Sequence, residues 1–289
     1  MSASSQTAPF TARRQALARF AANRSAVVGL GLLALIALLA ILIPILWPHG
    51  LEEAGLEHAS QPPSLADFHW FGTDANGRDL FVRVFYGARI SLAIGLIATA
   101  IALAIGVVWG AVAGWFGGLT DLLMMRFVDV LYAVPLLFLV IVLVTVLGNN
   151  VFLIFAAIGA VEWLTMARIV RGQTIAIRNR EYIDSARAVD LPTPRILSRY
   201  VIPNVIGPVI VYSTLLIPVN IIVESSLSFL GLGVQEPLTS WGLLINQGAP
   251  QLDSAPWILA APATLLAITM LAFNAVGDGL RDALDPQGR

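Results

Sequence analysis

Ser25-Ala-Val-Val-Gly-Leu-Gly-Leu-Leu-Ala-Leu-Ile-Ala-Leu-Leu-Ala-Ile-Leu-Ile-Pro-Ile-Leu-Trp47 contains no charged residue. About 20 apolar residues suffice to carry a helix across the hydrocarbon core of a bilayer, so this stretch predicts a membrane span. It is too long for the apolar region of a cleavable leader and lacks a small-residue cleavage site, which makes it an uncleaved anchor. Residues 1–24 precede it, with Arg13, Arg14, Arg19 and Arg24 and no acid. Phe10, Leu17 and Phe20 give this flank an amphipathic stretch, expected to lie along a membrane surface with its arginines near lipid phosphates.

Downstream, stretches nearly free of charge predict five more spans, at about Ile90–Phe116, Phe127–Leu147, Val151–Ala167, Val205–Val223 and Pro256–Val276. Gly148-Asn149-Asn150 is the turn between the third and fourth. The composition agrees. Of the 289 residues, 57% are hydrophobic and 12% charged, against about one quarter charged in a soluble domain. The mean hydropathy is +0.81. This excludes an ordinary soluble enzyme, a disordered tail and a basic nucleic-acid binder. Cysteine is absent, which removes disulfides, thiolate catalysis and cysteine zinc sites. Lysine is absent too, so no P-loop can bind ATP here. No catalytic residue and no cofactor is expected in the chain.

Arginine placement sets the expected orientation. With both termini in the cytoplasm, only Arg78, Arg83 and Arg89 fall outside, beside six acids in residues 48–89. The remaining arginines, among them Arg126, Arg168, Arg171, Arg178, Arg180, Arg187, Arg195, Arg199 and Arg281, fall inside. The expected fold class is an all-α integral membrane protein of six transmembrane helices. Its parts are a cytoplasmic segment 1–24, a first span 25–47, an outer loop 48–89, a five-helix core 90–280 and a cytoplasmic tail 281–289. The core includes an inner loop 168–204 and an outer loop 225–255.

Charges inside membranes mark ion or proton relays. Asp129, Glu162 and Glu224 all read as lying near span ends, so a proton-coupled carrier lacks its expected central carboxylate. Ala98, Ala102, Gly106, Gly110 and Gly114 recur every four residues, a seam for close helix packing. Pro135, Pro208, Pro218 and Pro262 are candidate kinks.

The inner loop carries the most information. Asn179 can cap a short helix over 180–189, with Glu181 at its positive end. Leu191 before Pro192 stops it, and Thr193-Pro194 restarts a helix as cap and first residue, running to about Pro203. The product is a helix–break–helix hairpin. Ser185, Ala186 and Ala188 keep part of its surface flat, and Tyr182, Asp184 and Arg187 offer specific contacts. Such a knob suits a cleft on a cytoplasmic protein; the alternative is a solvated basic loop that only obeys the charge rule.

Glu181-Tyr-Ile-Asp-Ser-Ala-Arg-Ala-Val-Asp190, continuing to Arg199-Tyr-Val-Ile-Pro-Asn204, resembles the EAA loop of bacterial ABC importer permeases. Asp184-Ser185-Ala186 takes the Glu-Ala-Ala place, Asp190 the glycine place and Tyr200-Val-Ile202-Pro203 the last block. Three further blocks are similar to the C-type permease subunit of dipeptide, oligopeptide and nickel importers. They are Gly72-Thr-Asp-Ala-Asn-Gly-Arg-Asp79 with Tyr86-Gly-Ala-Arg-Ile-Ser-Leu92, Glu224 to Gly242, and Phe273 to Pro286. Asp stands where the family usually has glycine at 190, so the turn there is expected to differ.

The resemblance implies a type I ABC importer architecture in the bacterial inner membrane. It implies a heterodimer with a B-type sister permease and two cytoplasmic ATPase subunits that bind ATP and magnesium. An extracytoplasmic solute-binding protein would deliver the peptide. Glu181, Tyr182, Asp184, Ser185, Ala186, Arg187, Ala188 and Asp190 would be the coupling residues seated in an ATPase cleft. Residues 78–89 are expected to form an interfacial helix, with Asp79 and Arg83 paired one turn apart. Asp79, Arg83 and Trp241 are candidates for docking the binding protein. Nickel or another small solute is the alternative cargo, although His49, His58 and His69 are too loosely spaced to argue for a metal. A proton-driven peptide carrier is the rival of a different class.

Overall fold

The computed structural model describes residues 9–147 and 150–284. Five of its helices are long and apolar enough to cross a membrane, and six spans result if one bent pair of helices counts as a single span. Among the described residues β pairing is limited to two isolated bridges, Ser64–His69 and Thr73–Asp79.

Helix α1 (Pro9–Ala22) and helix α2 (Arg24–Leu46) meet at Asn23, whose side chain caps α2 by accepting from Ala26 N at 3.2 Å. The expectation for Gly148, Asn149 and residues 1–8 lies outside the described residues, as does the side chain of Phe10. Leu17 is exposed, while Phe20 lies against Gly279 near the chain's far end. On α2, Ala26, Gly29, Ile36 and Ala40 are buried, whereas Val28, Leu35, Leu38 and Ile45 are exposed, as a lipid-facing surface requires.

Helix α3 spans Leu80–Phe116 without interruption, with Asp79 as its cap. Its 37 residues measure about 55 Å, far more than the ~30 Å hydrocarbon core. The expected separate interfacial helix at 78–89 is therefore the first turns of this long helix. Nothing between residues 80 and 116 breaks it, and Leu80, Val82, Val84 and Ala88 are buried in the protein.

The third span, expected as one helix, is two: α4 (Gly118–Tyr132) and α5 (Leu136–Leu147), bent by 84°. Pro135 explains the break, because it lacks an amide donor and its ring disfavours helical geometry at Val134. Helix α6 (Val151–Arg178) runs well past the expected end at Ala167. Helix α7 (Glu181–Ala188) is the short loop helix. Helix α8 (Thr193–Ile196) continues through a π turn at Leu197–Val201 into α9 (Ile202–Phe229). The second loop helix is thus the root of the fifth span. Helices α10 (Trp241–Gly248) and α11 (Trp257–Leu284) complete the chain.

Helices α3 and α6 form the centre. Their backbones approach closely along the glycine ridge: a Cβ on Gly106 would sit 2.7 Å from Met166 Cβ, and one on Gly114 2.8 Å from Arg171 O. Without a hydrophobic drive between helices in lipid, such close packing is what holds them. Helix α9 crosses α3 with Asn220 Nδ2 donating to Thr99 Oγ1 at 2.9 Å.

A docking hairpin and the opposite rim as candidate functional sites

The end of α3, the start of α4, the end of α6 and all of α7 share one arginine-rich end of the bundle. Arg171 clamps Asp121 with two bonds, of 2.5 and 2.6 Å, tying α6 to α4. Arg168 binds Asp129 at 2.8 Å and lies over the Tyr132 ring at 4.1 Å.

Helix α7 stands on this base. Ile183 is fully buried and Ala186 nearly so, both within the main core cluster. Ala186 is therefore an anchor, a correction to its expected place on the contact face. Glu181, Tyr182, Asp184, Ser185, Arg187, Ala188 and Asp190 are exposed. Arg187 bonds Asp184 at 3.3 Å and its guanidinium lies 4.9 Å from the Trp115 ring. That contact ties α7 to the last turn of α3.

The caps differ from the sequence expectation. Asn179 closes α6, and Arg180 precedes α7 with no side-chain cap. Similarly, Pro192 rather than Thr193 precedes α8. The C-terminal turn is better made. Asp190 N donates to Arg187 O at 2.9 Å and Leu191 N to Ala186 O at 3.3 Å. With Asp190 at φ +52°, this is a Schellman turn. Asp190 takes the left-handed conformation that glycine usually supplies, so the turn survives the substitution that was expected to alter it.

The opposite rim joins residues 72–89 to residues 234–247. Arg83 is not paired with Asp79, as expected, but with Asp74, and with Glu236 at 3.3 Å. Arg78 binds the same two acids, each at 2.8 Å. The hydrogen bond from Arg78 holds the Glu236 carboxyl below the usual glutamate range, against partial burial. Trp241 donates from its indole to Val84 O at 3.1 Å. Asp79, Arg83 and Trp241 are all buried, with at most 2% exposure. None can touch a docked protein, and they shape this rim from within.

Residues 106–289 match the sequence profile described as binding-protein-dependent transport system inner membrane component. Residues 11–63 match the N-terminal transmembrane domain of oligopeptide transport permease C. The chain belongs to this permease family. An oligopeptide transport system permease protein of Haemophilus influenzae is 48% identical over 94% of this chain and 87% of its own length. Its Bacillus subtilis counterpart is 46% identical over 96% and 90%. A Bacillus subtilis dipeptide transport system permease protein is 46% identical over 94% and 84%. The protein is a multi-pass permease subunit of the bacterial inner membrane.

Two features of the permease were missed in the sequence. First, the loop before α3 folds His49, His69 and Asp79 together, with ligand atoms within 4.8 Å of one another. Asp79 Oδ2 holds His69 Nδ1 at 2.7 Å, and Oδ1 caps α3 by accepting from Val82 N at 2.8 Å. The His49 ring stacks on His69 at 4.3 Å. The spacing in sequence hid this clamp because the chain doubles back between Trp47 and Asp79. Second, Glu162 is followed by 16 further residues of α6. It lies 11 residues into that helix, about 16 Å along its axis. The length was missed because α6 was expected to stop at Ala167.

Proposed function

We infer that this permease forms one half of the translocation path of an ATP-driven peptide importer and receives its driving motion through α7. Its N- and C-termini and the 178–204 hairpin face the cytoplasm, by the arginine distribution. A sister permease completes the path, two ATPase subunits bind ATP and magnesium beneath it, and a solute-binding protein delivers peptide to the opposite rim. The chain itself contributes no group to hydrolysis.

The observation that carries this reading is the build of α7. Its buried side, Ile183 and Ala186, is fixed in the core, while its exposed side presents Glu181, Tyr182, Asp184, Ser185, Arg187 and Ala188. A rigid knob on a packed base transmits displacement; a solvated loop does not. The likeness to peptide permeases supports peptide as cargo.

The native chain has no cysteine, so Ser185→Cys provides a single reporter. In the assembled transporter this thiol is expected to crosslink to an ATPase subunit, with a yield that changes on ATP binding. Equal labelling by a water-soluble thiol reagent with and without the ATPases would overturn the docking role.

A further inference from the structure

Glu162 is 3% exposed, and its Oε1 atom is buried with no hydrogen-bond partner. Among the described residues no cation pairs with it: Arg168 is taken by Asp129 and Tyr132, and Arg171 by Asp121. A buried acceptor left unsatisfied is costly, and within a membrane an ionisable group without a partner is a functional site by default. Glu162 lines a cavity of about 370 Å³ with Tyr132, Pro135, Leu139, Thr165 and Leu216. The cavity lies where α4 ends and the chain turns by 84° into α5. The last carbonyls of a helix lack intrahelical donors and carry the negative end of its dipole. A carboxylate and a helix C-terminus at one cavity both favour a positive charge, as at the broken helices of other transporters.

We propose that Glu162 holds the terminal ammonium of the transported peptide within the path. This inference rests on the peptide-import reading above. An ammonium group satisfies the orphan oxygen by donating a charge-assisted hydrogen bond. At about 370 Å³ the cavity is at the small end of ligand sites, so it takes the first residue of a peptide and not the whole chain. Its mostly apolar lining accepts varied side chains, and the carboxylate fixes the one group that every unmodified peptide shares.

The test uses the complete transporter in proteoliposomes with ATP, its binding protein, a tetrapeptide and the N-acetylated form of that tetrapeptide. Glu162→Gln keeps the shape and removes the charge. It is expected to lower uptake of the free peptide about tenfold, the size of one lost charge-assisted hydrogen bond, and to leave uptake of the acetylated peptide unchanged. Equal losses for both peptides, or none for either, would overturn the proposal. So would loss of copurification with the sister permease, which would assign the carboxylate to a basic side chain of that subunit. Where the binding protein refuses the acetylated peptide, labelling decides. A photoreactive first residue is expected to label residues 131–139 or 162–165, and a photoreactive last residue is not; identical labelling refutes the assignment. Absence of ATP-dependent uptake by the unaltered transporter would instead count against the peptide-import reading.

Discussion

Replacing Ile183 with alanine tests whether α7 is a rigid knob without altering any exposed atom. Helix α7 has eight residues and no side-chain cap, whereas isolated helices below about 12 residues are marginal in water. Its order therefore depends on the core contacts of Ile183 and Ala186 and on the Arg187–Trp115 stack. Ile183 has no exposed surface. Truncating a fully buried isoleucine costs about 2–5 kcal/mol. A surface cation–π contact returns only about 0.5–1 kcal/mol. The lost core packing outweighs the stack that remains, and the helix is expected to open locally while the spans remain folded. Hydrogen exchange over 181–189 should rise at least tenfold, with exchange in α3 and α6 unchanged. In the reconstituted transporter, ATP hydrolysis should no longer yield uptake. Unchanged exchange over 181–189 would show that α7 is held by something other than this anchor.

Three further expectations concern single groups. Arg187→Glu places a second acid one turn from Asp184 and removes the stack on Trp115; uptake should fall at least tenfold with the chain still inserted, read by transport and membrane fractionation. Asp190→Gly should stabilise the hairpin by about 0.5–1 kcal/mol, the ~1–2 kcal/mol cost of a side chain at positive φ less the extra chain entropy that glycine loses on folding, visible as slower exchange over 186–191. Glu236 has its carboxyl lowered by Arg78. Its contribution is therefore complete above the ordinary glutamate value of about 4.3 and is lost as pH falls through the lower folded value. Tryptophan fluorescence of the rim should show acid loosening that begins below that value, and Glu236→Gln should weaken the rim at neutral pH and flatten the acid step.

Which parts of this molecule could be read from its residues follows from what sets them. The six apolar stretches were legible because crossing lipid demands length and apolarity in one continuous run. The glycine ridge on α3 was legible because a four-residue period defines one helix face; the structure places α6 against it. Helix ends were not legible. Helices α3, α6 and α9 continue past their apolar runs wherever protein packing replaces water, and hydropathy carries no signal for that, so Leu80–Arg89 was assigned to a separate interfacial helix and Arg168–Arg178 to a loop. The pairing of Arg83 was misread for a related reason. Spacing along a helix suggests Asp79, but Asp79 is consumed as a cap and as the partner of His69, leaving Arg83 to Asp74 and Glu236 from other segments.

Two misread spans, the one that is longer than expected and the one that is broken, bear on mechanism together. Once α6 is seen to run unbroken from Val151 to Arg178, Glu162 and the α7 hairpin are joined by one helix. About 24 Å of uninterrupted helix separates Glu162 from Arg178, and only Asn179 and Arg180 lie between α6 and α7. Across the cavity, α4 and α5 are not continuous. One wall of the cavity is thus a stiff rod rooted beside the knob, and the facing wall contains the bend at Pro135. Packed helices move as bodies and deform at breaks. On the coupling role proposed for α7, a displacement imposed there would reach Glu162 through the rod and be taken up at the bend, which is the arrangement a gated path needs and a static scaffold does not.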